Sequence, residues 1–263
     1  MLARAVTGLA ISLAVAPTAA VGQSHLVVIP AQELGALPAA ADPAPPPDST
    51  GDSVSPASPP QQADPLAPID PPDLASNPSV GIRAVTNWVI ASGDNNGLPF
   101  MVIDKVQAAV FVHLADGTLV GAGPALFGLA KGDDSVPGIG EKKLSMIGNH
   151  EKTTPAGRFV ANFGPAEGNI TVLWIDYRDS VSMHSVITGN KKERRLQRLQ
   201  SPTPEDNRIT FGCINVMPDF YRDIVKPIFK DTRGIVYILP EIKSLAEVFP
   251  TLAAQPETAA GTP

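Results

Sequence analysis

The 263-residue sequence has one cysteine, Cys213, and only four histidines. A single thiol excludes an intramolecular disulfide, and the same count excludes four-cysteine zinc sites and iron–sulfur centres. Aromatic residues make up 5% of the chain and charged residues 17%. Between residues 31 and 80 there is no Lys or Arg and hardly a large apolar side chain. No repeat of 20 to 50 residues is visible, which sets aside solenoids and propellers. A strongly basic surface is missing too. The net charge is −6, and residues 81–241 carry 18 basic against 17 acidic side chains, so nothing points to nucleic acid as a partner.

What is present divides the chain into four parts. Residues 1–22 hold Arg4, an apolar run from Ala5 to Ala16, and small residues ending at Ala20-Val21-Gly22. This is the pattern of a secretory signal peptide, and it predicts an exported protein of the periplasm or cell envelope. No cysteine follows the apolar run, which excludes a lipid-modified N-terminus there. Residues 23–80 are rich in Pro, Ala and Asp and cannot bury enough surface to offset chain entropy, so they read as a disordered linker. Such a Pro-rich tether can extend on the order of 100 Å. Residues 81–241 have the size of one domain, and 242–263 read as a mostly disordered tail.

Within 81–241 the apolar runs are short and β-branched: LPFMVIDK (98–105), AAVFVHLAD (108–116), TLVGAGPAL (118–126), GRFVANFG (157–164), NITVLWIDY (169–177), SVSMHSV (180–186) and GIVYILP (234–240). Asp116-Gly117 marks a hairpin. Helical patterns are confined to 191–200 and 218–230. The fold class is therefore mainly β, a β-rich mixed α/β domain.

Cys213 lies in RITFGCINV (208–216), which otherwise reads as one strand. It is either a small core residue or a nucleophile. A nucleophilic thiol needs a base, most often histidine. His25 precedes the tether, His113 lies inside a strand, His150 sits in a loop, and His184 ends the VSMH strand. Strand ends hold side chains both fixed and accessible, so His184 is the best-placed base.

The order His184-Ser185, then Thr210-x-Gly212-Cys213-Ile214-Asn215, with Thr154-Pro155-Ala156-Gly157-Arg158-Phe159 upstream, resembles the signature of the bacterial L,D-transpeptidase catalytic domain. The resemblance covers roughly residues 98–240. It implies a β-sandwich that remodels peptidoglycan through a thioester acyl-enzyme, with no metal or organic cofactor. The partners implied are peptidoglycan tetrapeptide stems and an acceptor amine on another stem or on an envelope protein. Water as acceptor gives an L,D-carboxypeptidase instead, and an exported thiol peptidase with another peptide substrate is a further alternative. Carried onto this chain, Cys213 is the nucleophile, His184 the general base and then acid, and Gly212 with Cys213 the backbone of an oxyanion hole. Ser185, Thr210 and Asn215 take substrate-binding or bracing positions.

Two departures stand out. Phe211 occupies the position of the family's second histidine, which favours a non-catalytic cell-wall-binding module as the alternative. His184 and Cys213 are also 29 residues apart, a longer gap than the family's usual one. The extra chain is basic, with Lys191, Lys192, Arg194, Arg195, Arg198 and Arg208. It is expected to wall the site, with Arg208 holding a stem carboxylate through two-point hydrogen bonds.

Overall fold

The computed structural model describes residues 74–166 and 170–253. The expected signal peptide (1–22) and nearly all of the expected linker lie outside the described residues. Among the described residues no helix is long and apolar enough to cross a membrane.

Nine strands carry the fold: β1 (Phe100–Asp104), β2 (Ala109–His113), β3 (Leu119–Gly128), β4 (Gly157–Ala166), β5 (Ile170–Asp176), β6 (Val181–Ser185), β7 (Arg208–Thr210), β8 (Ile214–Val216) and β9 (Gly234–Ile238). Pairing runs β2-β1-β9-β4-β5-β6-β8-β3-β7, and β3 also pairs with β2, which closes a ring of eight strands. The closure comes from two long strands that serve both sheets. β3 pairs with β2 through Leu119–Pro124 and with β8 through Ala125 and Leu126. β4 pairs with β9 over Gly157–Ala161 and with β5 over Asn162–Ala166. The result is β-rich, as the strand runs predict, with two sheets joined at both edges.

Alternation sorts the side chains of β1, β2 and β9 into two cores. Met101, Ile103, Val110, Val112, Val236 and Ile238 face the space between the sheets. Phe100, Val102, Ala109, Phe111, Ile235 and Tyr237 face outward against helix α1 (Val80–Ser92). These strands are buried on both faces, so their sequences read as nearly unbroken apolar runs. Each Val, Ile, Phe or Met among them contributes roughly 1.5–3 kcal/mol relative to exposure. α1 buries Ile82, Val85, Trp88 and Val89. Its N-cap is Ser79, whose hydroxyl accepts from the Ile82 amide, and Gly93 ends it in the left-handed region.

Helical segments lie where 191–200 and 218–230 predict them. A 3-10 turn (Lys191–Glu193) leads into α2 (Arg195–Leu199). α3 (Pro218–Phe220), a π turn (Tyr221–Val225) and α4 (Lys226–Phe229) run on without a break. The expected tail departs from expectation between 242 and 253. There Ser244 and Glu247 form a capping box that starts α5 (Leu245–Val248), α6 (Pro250–Ala253) follows, and Phe249 is buried against Trp88 and Tyr237. The packed unit therefore runs beyond 241.

Candidate active site

RITFGCINV is two strands rather than one. β7 and β8 are separated by Phe211-Gly212-Cys213, and the break has identifiable causes. Gly212 has φ +132°, a region that L side chains rarely adopt. A Cβ there would lie 2.7 Å from the Thr153 carbonyl oxygen. The Thr210 hydroxyl accepts from the Gly212 amide (3.2 Å) and donates to the Cys213 carbonyl (2.6 Å). From the other side the Thr154 hydroxyl accepts from the Gly128 amide (2.9 Å) and donates to the Gly212 carbonyl (2.8 Å). A trans peptide points its N–H opposite to its C=O. Thr154 therefore fixes the direction of the Cys213 N–H.

This corrects one expectation. The Gly212 amide is engaged by Thr210, so the Cys213 amide is the donor that the turn leaves for a developing oxyanion. Gly212→Ala is expected to lower thiol acylation about 10²–10³-fold by turning that amide away, and to cost about 1–3 kcal/mol of stability from the strained φ. β-Lactam acylation and thermal melting measure the two effects; wild-type values for both would remove this account of the turn.

Cys213 is partly exposed. Its Sγ lies 3.5 Å from both the Ser182 hydroxyl and the Ser180 carbonyl. β6 and β8 are parallel neighbours in which His184 is paired with Asn215 and Met183 with Ile214, and this register brings the imidazole beside the thiol. Ring Nδ1 lies 2.8 Å from the Ser185 carbonyl oxygen and Nε2 lies 3.1 Å from Asn215 Nδ2. A carbonyl only accepts, so Nδ1 carries a ring proton, and the amide nitrogen facing Nε2 fits an acceptor there. Burial pushes the Cys213 thiol up, but His184 outweighs it, helped by Ser182, and the net direction is down. Burial pushes His184 down, but its interaction with Cys213 outweighs it and the net direction is up. Each group favours the charged form of the other.

The other expected site residues have different work. Thr210 and Asn215 are 3% and 1% exposed, so both brace the site from within rather than meet substrate. Ser185 contributes its backbone carbonyl to His184. Arg208 is mostly buried: one guanidinium nitrogen pairs with Glu241 and donates to the Lys105 carbonyl (3.1 Å), and its NH1 has no hydrogen-bond partner among the described residues. Phe211, in place of a histidine, lies under Lys152, whose Nζ is 4.1 Å from the ring centroid. The inserted segment does reach the site, through Arg195, which donates to Asn215 Oδ1 at 2.8 Å and pairs with Glu193. Ser182 and the function of Thr154 were not singled out by sequence. Thr154 stood inside the quoted Thr-Pro-x-Gly segment, so that signal was present; Ser182 had only its place two residues before His184. His113, set aside as a strand residue, is buried, stacked on Phe100 at 4.7 Å, and pushed by burial down to about 4. His150 is exposed in a 3-10 turn, and His25 lies outside the described residues.

No family model matches this chain, and no curated protein matches it. The solved structures it matches include L,D-transpeptidases from several species. The catalytic domain of the Enterococcus faecium L,D-transpeptidase is 17% identical, over 53% of this chain and 95% of that one, with a TM-score of 0.32. An L,D-transpeptidase from Mycobacterium tuberculosis H37Rv is 16% identical, over 54% and 57%, with a TM-score of 0.35. The helical cell shape determining protein Pgp2 from Campylobacter jejuni is 14% identical, over 60% and 56%, with a TM-score of 0.36. The chain thus spans little more than half the length of the last two. The chemistry of the site rests on its own geometry.

Proposed function

We propose that this protein is an exported cysteine transpeptidase acting on peptidoglycan peptide stems, with 1–22 as its signal peptide, the Pro-rich segment after it as a tether, and the packed domain that begins ahead of the Ser79 cap of α1 as its catalytic unit. The observation that carries the reading is the Cys213–His184 pair, with the imidazole oriented by the Ser185 carbonyl and the thiol on a turn whose amide is held in a fixed direction. The resemblance of His184-Ser185, Thr154-Pro155-Ala156-Gly157 and Gly212-Cys213-Ile214-Asn215 to the L,D-transpeptidase signature supplies the substrate class.

In this reading Cys213 gives its proton to His184 Nε2, and the thiolate attacks the carbonyl carbon between the third and fourth stem residues. The carbonyl oxygen becomes an oxyanion facing the Cys213 amide. The C–N bond breaks, His184 returns the proton to the departing terminal D-Ala amine, and a thioester remains. An acceptor amine then attacks the thioester carbonyl and passes a proton to His184, and the thiolate leaves. Water in place of the amine gives hydrolysis. The second reading, a wall-binding module, draws on Phe211: a phenyl ring under Lys152 cannot move a proton, so every proton transfer falls to His184.

Intact mass after incubation with a carbapenem-type β-lactam decides between them. The expected result is a covalent adduct on the wild-type protein and none on Cys213→Ala. A reduced wild-type thiol that takes no adduct would sink the transpeptidase reading. Product analysis with purified tetrapeptide stems then separates cross-linking from hydrolysis.

A further inference from the structure

The segment inserted between His184 and Cys213 touches the pair through a chain of hydrogen bonds whose directions are all determined. Arg195 donates from NH1 to the Asn215 carboxamide, while its Nε is held by Glu193. Arg195 and Glu193 side chains are 14% and 23% exposed. A guanidinium has only donors, so the atom of Asn215 that faces it is the oxygen. The NH2 group therefore faces His184 Nε2, 3.1 Å away. At the far side of the ring the Ser185 carbonyl accepts from Nδ1. Ser185 holds the proton at Nδ1 and the Asn215 NH2 needs a lone pair at Nε2, so together they fit the neutral ring protonated at Nδ1. The carboxamide bears on the proton that Cys213 would deliver, because an N–H formed at Nε2 would point at its NH2 group. The carboxamide cannot turn its oxygen to that proton without breaking its bond to Arg195.

We propose that Arg195 is a positioning residue that restrains ionisation of the Cys213–His184 pair, holding the Asn215 NH2 toward His184 Nε2 so that the resting site is neutral imidazole and protonated thiol. The titratable or charged groups acting on His184 are Cys213 and Arg195, with Glu193 behind Arg195. The charge of Arg195 works in the same direction as the carboxamide, against the upward pull of the thiol. The inserted segment is then a brake on the thiol as well as a wall. A thiolate is the form that oxidises, so the brake lowers the exposure of Cys213 to oxidation between turnovers. The inference rests on Cys213 and His184 acting as the reacting pair. It concerns only where their shared proton sits.

Two measurements test it. Nitrogen-15 NMR of His184 in the wild-type protein near neutral pH is expected to show the neutral ring protonated at Nδ1; an imidazolium, or a ring protonated at Nε2, would overturn the proposal. Alkylation of Cys213 by iodoacetamide as a function of pH reads the thiolate directly, since no other thiol is present. In Arg195→Met and in Asn215→Leu the rate at about pH 6 is expected to rise about tenfold, the value of one hydrogen bond to a charged group. An unchanged or lower rate in a folded variant overturns the proposal. A merely damaged site separates from His184 and moves the thiol the other way, toward its ordinary pKa. If one variant does not fold, the other decides, and the wild-type tautomer stands apart from both. The transpeptidase reading fails separately: a wild-type protein without a β-lactam adduct sinks that reading, while the sign of the Arg195→Met shift still decides this one.

Discussion

With His184 replaced by alanine, acylation of Cys213 is expected to fall about 10²–10⁴-fold, and the residual rate is expected to climb steadily into the alkaline range. The variant loses two things. In the proposed mechanism, one is the acceptor for the thiol proton and the donor for the leaving amine. The other is the partner that lowers the thiol. Burial by itself pushes Cys213 up, and among the influences opposing it His184 is the largest. Without the imidazole the thiol titrates at or above its ordinary value near ~8.5, so little thiolate remains at neutral pH. Time-resolved mass spectrometry of β-lactam acylation across pH reads both effects. A variant with the wild-type rate and pH profile would show that His184 is not the base.

Lys105→Met is expected to lower stability by about 3–5 kcal/mol, the penalty for breaking a buried ion pair from one side. The Lys105 side chain is fully buried, and its ammonium donates to Asp133 (2.8 Å), the Thr154 carbonyl (2.9 Å) and the Gly132 carbonyl. Glu241 lies 3.5 Å away. The methionine would leave two carboxylates, 1% and 3% exposed, without their shared cation. Burial pushes Asp133 up, but Lys105 and the amides of Lys243, Glu241 and Ile242 outweigh it and bring it down to about 2. A depressed carboxylate gives its stability in full above its unfolded value near ~4 and loses it as the pH falls toward its folded one. Acid unfolding of the wild type is therefore expected to draw on this group between about pH 4 and 2. In the variant the transition moves to higher pH, because Asp133 has lost a partner. Urea unfolding at several pH values measures this. Equal stability of the two proteins at neutral pH would show that the network contributes nothing.

The strands were legible because most are apolar runs with clear ends, and those buried on both faces are nearly all apolar and rich in β-branched residues. The break in RITFGCINV was not legible as a break. Thr210 and Ile214 have strand propensity on either side, and only the backbone of Gly212 against Thr153 decides it. α1 carried signals that a reading of the tether hid: Ser79 as cap, Ile82, Val85 and Val89 at helical spacing, and Gly93 at the end. Ser244 and Glu247 offered the same kind of signal for α5. The pairing of Cys213 with His184 was legible from residue type and from strand ends. Sequence proximity to the cysteine suggests a clamp role for Arg208, whereas the ion pair it makes is with a residue distant in sequence. Its partner, Glu241, is 33 positions away. The Arg195–Asn215–His184 chain joins three elements through side-chain directions, which periodicity does not encode.

The anchors of the cysteine turn come from widely separated stretches of chain. Thr154 lies 58 positions from Gly212, Ser180 lies 33 from Cys213, and Ser182 and His184 each lie 31 from their partners, Cys213 and Asn215. No local fragment contains them all. In a chain still unfolded, or folded only as far as β5, the thiol has the reactivity of any solvated cysteine. The altered thiol appears only once β6, β8 and the segment carrying Thr154 have come together. Alkylation kinetics of the lone thiol thus form an intrinsic reporter of when these distant segments meet during folding, readable without an added label.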